Sequence, residues 1–182
     1  MTERISPITI KDAEPSHLAR YKFAKKYAKG ICLDAPCGVG YGSKYIGLPC
    51  FGIDNSLVAI NHANKYFKTN RTFFDLQSIE KINYPDNFVS TVLSFEGIEH
   101  IWKPKQFLKE VRRVLKPDGL FIISTPRKPH GNEFHTIEYS LEEFKAILSG
   151  FEIKEMYGQV YTDFVKDLTI KRDKFNFIAV CT

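Results

Sequence analysis

The chain has 182 residues and a net charge of +5, and 43% of its residues are hydrophobic. This length suits one domain whose core needs no disulfide or metal for stability, and no apolar run is long enough to cross a membrane. The 26 Lys and Arg residues are spread along the chain, which is typical of a solvated surface and disfavours nucleic acid as a partner.

The cysteines and the amino-terminal segment predict a cytoplasmic protein. No C-x-x-C pair occurs among the four cysteines, which are Cys32, Cys37, Cys50 and Cys181. Buried, reduced thiols are therefore expected. The first residues carry acids and have no apolar core, unlike a secretory signal. We expect a single domain over residues 1–182, with an N-terminal arm over residues 1–15.

Helix-like and strand-like segments alternate along the chain. Apolar residues at helical spacing predict a covering helix over residues 16–29. Further helices are predicted to begin at Gly42, after Asn55 or Ser56, at Lys105 and after Ser140, with Glu143 completing a capping box. Short apolar runs predict strands over residues 31–35, 50–54, 71–74, 88–95, 120–125, 151–157 and 175–181.

The alternation of strands and helices predicts the fold class. Repeated strand–helix–strand units imply right-handed crossovers and a parallel sheet covered on both faces. Residues 158–174 join the last two strands without a clear helix, so these two strands can pair antiparallel. The expected fold is α/β: a doubly wound sheet of seven mostly parallel strands whose last strand is antiparallel.

The stretch ICLDAPCGVGYGSKYIG, residues 31–47, places an acid and three alternating glycines directly after a buried strand. Open parallel sheets bind ligands at the carboxyl ends of their strands, and glycine lets the backbone approach a ligand closely. The pattern is neither G-x-G-x-x-G, because Ser43 holds the third place, nor a P-loop. Asp34 would repel a pyrophosphate and suits an ammonium or sulfonium group, which indicates S-adenosylmethionine.

Two further acids end the next two predicted strands. Asp54 can accept both hydroxyls of a ribose. Asp75 can receive the exocyclic amine of adenine, with Leu76 against the ring. Each acid alone is also a common turn residue, whereas three acids at the ends of three successive strands favour one nucleoside-binding edge.

These motifs resemble those of the class I S-adenosylmethionine-dependent methyltransferases. LDAPCGVGYGSKYI is similar to the first motif of the family, and FGIDNS and FFDLQSI are similar to the ends of its second and third strands. VLSFEGIEHIWKPKQFLKEVRRVLKPDGLFIISTP resembles the stretch across its fourth and fifth strands. The likeness covers residues 14–157. Pro36 departs from it, because many members have a small residue there.

The resemblance implies the cofactor and the residues that bind it. S-adenosylmethionine would be the methyl donor and S-adenosylhomocysteine the product. The backbone at Ala35, Gly38 and Gly40 would lie along the methionine part, and Arg20 would pair with its carboxylate. The implied cofactor-binding residues are Arg20, Asp34, Ala35, Gly38, Gly40, Asp54, Asn55, Asp75, Leu76 and Phe95.

An E-x-x-E-H motif, Glu96, Glu99 and His100, follows the fourth predicted strand, and His135 lies in the loop after the fifth. In one interpretation Glu96, His100 and His135 are catalytic, with a histidine as the base. In another, Glu96, Glu99, His100 and His135 bind a divalent metal, as the likeness to RNA 3′-terminal 2′-O-methyltransferases and some ubiquinone-pathway O-methyltransferases implies. In the third, the motif only caps a loop.

The amino-terminal stretch resembles a bacterial subgroup associated with glycan biosynthesis. The sequence has no separate recognition domain, and FEGI stands where amino methyltransferases have N-P-P-[YF]. We therefore expect an enzyme that O-methylates a sugar or another small hydroxylated acceptor. The alternatives are metal-dependent 2′-O-methylation of RNA 3′ ends and a non-catalytic cofactor-binding module.

Overall fold

The computed structural model describes residues 7–170, 172 and 175–182, so residues 1–6 of the predicted N-terminal arm lie outside the described residues. The helices are α1 (Pro15–Ala24), α2 (Tyr41–Ile46), α3 (Leu57–Tyr66), α4 (Pro104–Val114) and α5 (Leu141–Ile147). The strands are β1 (Cys32–Asp34), β2 (Cys50–Asp54), β3 (Thr72–Leu76), β4 (Val89–Phe95), β5 (Leu115–Pro126), β6 (Ile153–Val160), β7 (Asp163–Val165) and β8 (Phe175–Cys181).

All of these strands belong to one sheet with the order β3-β2-β1-β4-β5-β8-β6-β7. β1 to β5 are parallel to their neighbours, and β8 lies antiparallel between β5 and β6. The strand order reverses between β1 and β4, and ligands bind outside the carboxyl ends of strands at such a point. The predicted doubly wound, mostly parallel α/β sheet with an antiparallel last strand is confirmed.

The prediction of seven strands is wrong by one, because the carboxyl-terminal region contains an additional hairpin. β6 continues to Val160, the chain turns at Tyr161 with φ 54°, and β7 pairs antiparallel with the end of β6. β7 has three residues, one exposed and two half-buried. A strand this short gives no alternation of polarity long enough to detect in the sequence.

Helices cover both faces of the sheet and bury two apolar clusters. On one face α4 and α5 place Phe107, Val111 and Phe144 against the sheet. On the other face α1, α2 and α3 contribute Phe23, Ile46 and Ala63, among others. The predicted caps are confirmed: Ser56 precedes α3 and accepts the Ala59 N–H, and Ser140 with Glu143 forms the capping box of α5.

Two local boundaries differ from the expectations. α1 ends at Ala24 rather than at residue 29, and hydrogen-bonded turns follow it up to Ala28. β5 begins at Leu115, but residues 116–119 leave the ladder, since Leu115 pairs with Val89 whereas Leu120 pairs with Thr91. Among the described residues, none of the helices combines the length and the apolarity needed to cross a membrane.

Candidate active site

A cleft of about 610 Å³ lies at the carboxyl ends of β1, β2 and β4. Its volume falls in the range of small-molecule sites. α1, the glycine loop after β1, the segment after β3 and the turn after β4 supply its wall. The predicted site residues on this wall are Arg20, Gly38, Asp54, Asn55, Phe95, Glu96 and His100.

Gly38 and Asp54 shape the floor of the cleft together. Gly38 has φ +52°, and a Cβ added there would meet no atom within 4 Å, so its open side faces the cleft. The Asp54 carboxylate accepts the Gly38 N–H at 3.0 Å and the Ser56 N–H at 2.8 Å. Asp54 therefore fixes the glycine loop and also stands at the cleft, where it can accept hydroxyls of a ribose.

The other two glycines of the loop contact protein. Gly40 has φ +89°, and a Cβ there would lie 2.6 Å from the Cβ of Ala63. At Gly42 a Cβ would lie 2.0 Å from the aromatic ring of Tyr21. Gly40 is therefore needed for its backbone conformation and for packing on α3, and Gly42 for packing on α1. The predicted cofactor contact of Gly40 stays a prediction.

Asp34 and Ala35 lie behind the wall of the cleft. Asp34 is fully buried and accepts hydrogen bonds from the hydroxyls of Tyr21, at 3.1 and 3.2 Å, and Ser43, at 2.6 Å. Burial raises the pKa of Asp34 from 3.8 to about 7, against the lowering effect of these two hydrogen bonds. Ala35 is also fully buried, and its N–H donates to the Leu93 carbonyl. Neither residue is on the wall itself.

Arg20 brings a buried positive charge to the cleft. Its side chain donates to the Gln159 amide oxygen at 2.9 Å and lies 4.0 Å from the Glu96 carboxylate. Its Nε has no hydrogen-bond partner among the described residues, although the residue is only 2% exposed. Buried polar groups are normally paired, so this N–H group fits an anionic ligand such as the predicted carboxylate.

Glu96 follows β4 directly and holds an unusual backbone conformation. Its φ is +51°, a value that non-glycine residues adopt rarely and often at functional sites. Its Oε1 accepts the Ser124 hydroxyl at 2.8 Å. The side chain is thereby fixed at the wall of the cleft, between Arg20 on α1 and Ser124 on β5.

Glu99 and His100 continue the motif beside Glu96. Glu99 is 1% exposed, its Oε2 accepts the Thr125 hydroxyl, and its Oε1 has no partner among the described residues. Burial and the nearby Glu96 carboxylate raise the pKa of Glu99 well above its usual value. His100 Nδ1 lies 3.0 Å from the Phe134 carbonyl and donates to it, which leaves Nε2 unprotonated in the neutral ring, 4.0 Å from Glu99 Oε1.

His135 joins this cluster from the loop after β5. Its ring centroid is 5.1 Å from that of His100, and the ligand atoms of Glu99, His100 and His135 all lie within 4.8 Å of one another. Its Nδ1 is 3.3 Å from Glu138 Oε1. Burial and the neighbouring His100 lower the pKa of His135, so this imidazole is neutral at pH 7. His130, His135 and Glu138 form a second group of the same size.

Asp75 and Leu76, the predicted adenine contacts, do not lie on the wall. Asp75 accepts the Tyr84 hydroxyl at 2.6 Å, and Leu76 is 51% exposed. Three residues just beyond β3 line the cleft instead: Ser78, Ile79 and Glu80. These three residues were not among the predicted site residues, although their place after the end of a parallel strand could have indicated them. The adenine roles of Asp75 and Leu76 stay predictions.

The fold and the cleft together define a class of nucleoside-cofactor enzymes with a doubly wound sheet, and comparisons with known proteins identify the family. The model of the methyltransferase domain family matches residues 33–123, half of the chain. The chain belongs to this family, the class I S-adenosylmethionine-dependent methyltransferases. S-adenosylmethionine is accordingly the cofactor of this family.

Individual relatives agree with this family. A Mycolicibacterium smegmatis protein named "Probable S-adenosylmethionine-dependent methyltransferase" is 31% identical over 150 residues, 75% of this chain and 58% of that protein. The Rickettsia akari ubiquinone biosynthesis O-methyltransferase is 28% identical over 134 residues, 69% of this chain and 51% of that protein. The chain thus spans a little over half of the length of these relatives.

A solved structure supports the fold. The crystal structure of the PH0226 protein from Pyrococcus horikoshii OT3 superposes with a TM-score of 0.76 at 20% identity and covers 98% of this chain and 94% of that chain. At 20% identity, this similarity supports the fold but not an activity.

Proposed function

We propose that the chain transfers the methyl group of S-adenosylmethionine to a hydroxyl of a sugar or another small acceptor. The observation that carries this proposal is the position of His100 on the cleft wall, with its Nδ1 proton donated to the Phe134 carbonyl. The free Nε2 can then take a proton from a hydroxyl, and a neutral imidazole suits this task near pH 7.

Three residues of the cleft support the binding of S-adenosylmethionine there. The open side of Gly38 provides space that a Cβ would fill, Asp54 offers carboxylate oxygens beside it, and Arg20 has an unpartnered N–H group. When bound, S-adenosylmethionine supplies a methyl group on a positively charged sulfur that departs as a neutral thioether. The protein has to orient the acceptor and accept its proton, and orientation alone can lower the barrier by several kcal/mol.

The size and the charge of the cleft favour a small acceptor over an RNA end. The cleft of about 610 Å³ must hold both cofactor and acceptor, whereas sites of this volume hold one drug-sized ligand. Its wall carries the acids Asp54, Glu80 and Glu96, and among the described residues Arg20 is the one arginine or lysine on it. This balance gives a phosphate backbone little attraction.

A divalent metal is the second candidate for activating the acceptor, and the cluster of Glu99, His100 and His135 would bind it. In metal sites a ligating histidine usually donates its other ring N–H to a carbonyl or carboxylate. His100 does so to Phe134, and His135 lies correspondingly against Glu138. Glu99 adds a buried oxygen without a partner among the described residues. Such an O/N set would suit magnesium, manganese or iron, which would hold the acceptor hydroxyl.

Product mass analysis with a panel of hydroxylated acceptors tests the proposal. We expect S-adenosylhomocysteine release and an acceptor heavier by one methyl group, and about a 100-fold lower rate for His100→Ala. If the protein binds the cofactor but methylates none of the sugars and phenols tested, the result would instead favour a non-catalytic module. Turnover that survives EDTA would exclude the metal, whereas turnover that EDTA abolishes and manganese restores would favour it over the base.

A further inference from the structure

Tyr21 stands between Asp34 and the cleft. Its hydroxyl donates to the Asp34 carboxylate, at 3.1 and 3.2 Å from the two oxygens. Tyr21 lines the cleft, and its ring meets that of Phe95 edge to face, with centroids 4.9 Å apart. The residue is only 6% exposed. Asp34 reaches the cleft through this side chain, because the carboxylate itself is fully buried.

The glycine loop is built around the Tyr21 ring. A side chain at Gly42 would collide with the ring, so the third glycine of the loop admits Tyr21. From the next position, the Ser43 hydroxyl donates to Asp34 Oδ2 at 2.6 Å. Asp34 is therefore approached by Tyr21 from α1 and by Ser43 from α2, and these donors fix it in place behind the wall.

We infer that the Tyr21 hydroxyl, oriented by Asp34, receives the ammonium group of the cofactor. A phenol has one proton and two acceptor lone pairs. Because its proton is given to Asp34, its lone pairs are left for a cationic N–H donor. Arg20, the preceding residue, offers an unpartnered N–H to the carboxylate of the same amino-acid end. This assignment rests on the proposed cofactor cleft, and in it the orienting role that the sequence predicted for Asp34 acts through Tyr21.

Burial keeps Tyr21 in the state that this arrangement needs, whereas Asp34 needs the charge of the ligand. Burial raises the pKa of Tyr21 well above 10, so the phenol stays protonated. An ammonium group next to the hydroxyl favours the ionised form of Asp34, whose pKa of about 7 lets it change state near neutral pH. The hydrogen bond to the ionised Asp34 thus makes the Tyr21 hydroxyl oxygen a stronger acceptor for the ammonium group.

Calorimetric binding of two ligands tests the inference without any turnover. The first ligand is S-adenosylhomocysteine, and the second is its deaminated analogue, which keeps the carboxylate but has no ammonium group. We expect Tyr21→Phe to weaken S-adenosylhomocysteine by about ten-fold, the scale of one hydrogen bond to a charged group, and to leave the analogue within about two-fold. Asp34→Asn is expected to show the same selective loss.

The control is Tyr27→Phe, the same hydroxyl deletion just after α1. Tyr27 bonds Tyr157 and is not on the cleft wall, so both ligands should bind this variant as they bind wild type. Equal weakening of both ligands by Tyr21→Phe would show a packing effect and overturn the inference, as would an unchanged affinity for S-adenosylhomocysteine. If wild type binds neither ligand, the proposed cofactor cleft itself is refuted.

Discussion

At several positions of this site, the residue type is explained only by side chains that are distant in the sequence. The sequence predicted Gly38 and Asp54 as cofactor-binding residues, because the end of a parallel strand followed by glycine is a local pattern, and both residues line the cleft. The sequence could not separate Gly38 from Gly40, since Gly40 packs on Ala63 of α3, about twenty residues downstream. The burial of Asp34 depends on the docking of α1 and was not predictable locally.

Asp34→Asn should stabilise the unliganded protein in a pH-dependent way. The folded pKa of about 7 lies above the ordinary 3.8 because the carboxylate is buried, and the nearby Asp54 adds to the rise. The unfolded chain therefore loses this proton first, and the free energy of unfolding of wild type falls as pH rises from about 4 to 7. The gain of the variant over wild type should be about 2 kcal/mol larger at pH 8 than at pH 5.

Urea unfolding at the two pH values measures this difference. A gain that is the same at pH 5 and pH 8 would mean that Asp34 ionises normally in the folded protein. The variant is also expected to bind S-adenosylhomocysteine less tightly, so the buried carboxylate lowers stability while it serves the site.

Gly42→Ala should destabilise the fold more than the same change at Gly150. The new methyl group would have to displace the buried Tyr21 ring, and such overpacking costs about 1–3 kcal/mol. Gly150 has nothing within 4 Å of an added Cβ, and alanine there should be neutral or stabilising by about 0.5 kcal/mol. Chemical denaturation of both variants provides the comparison, and equal midpoints would contradict the tight contact between Gly42 and Tyr21.

At the scale of elements, the attachment of α1 to the sheet decides whether the cleft has a cover. Gln159 on β6 accepts from Arg20 and donates to the carbonyls of Ser16 and Tyr161. Apolar runs and caps predicted the central strands and helices. The β6–β7 hairpin and the hydrogen bonds of Gln159 to α1 were not predicted, because a three-residue strand and one glutamine give no periodic pattern in the sequence.

Gln159→Leu should loosen α1 and leave the central sheet intact. The change keeps the approximate side-chain volume but removes the three hydrogen bonds. Arg20 then loses this hydrogen-bond partner and α1 its polar connection to β6, while the ring contact between Phe23 and Tyr157 remains. Hydrogen exchange should become faster over Pro15–Ala24, while β4 (Val89–Phe95) serves as the internal control. Faster exchange in β4 as well would indicate global destabilisation, and unchanged exchange in α1 would show that apolar packing alone holds this helix.

At the scale of the whole molecule, the cofactor should stabilise the fold by mass action. A ligand at 100 times its dissociation constant adds about 2.7 kcal/mol, which raises the melting temperature of a domain of this size by roughly 5–10 °C. Thermal scans with S-adenosylhomocysteine should show this shift, and adenosine diphosphate is the control because Asp34 is expected to repel its pyrophosphate. A larger shift with the diphosphate would argue for a different cofactor.

The bond between Arg20 and Gln159 also has a consequence for biosynthesis, since 139 positions separate the two residues. A ribosome adding 5–20 residues per second delivers the second partner about 7–28 seconds after the first. During that interval the nascent chain carries a cationic side chain whose eventual acceptor has not yet been made. The side of the cleft that Arg20 forms is therefore completed only after β6, which carries Gln159, has been synthesised.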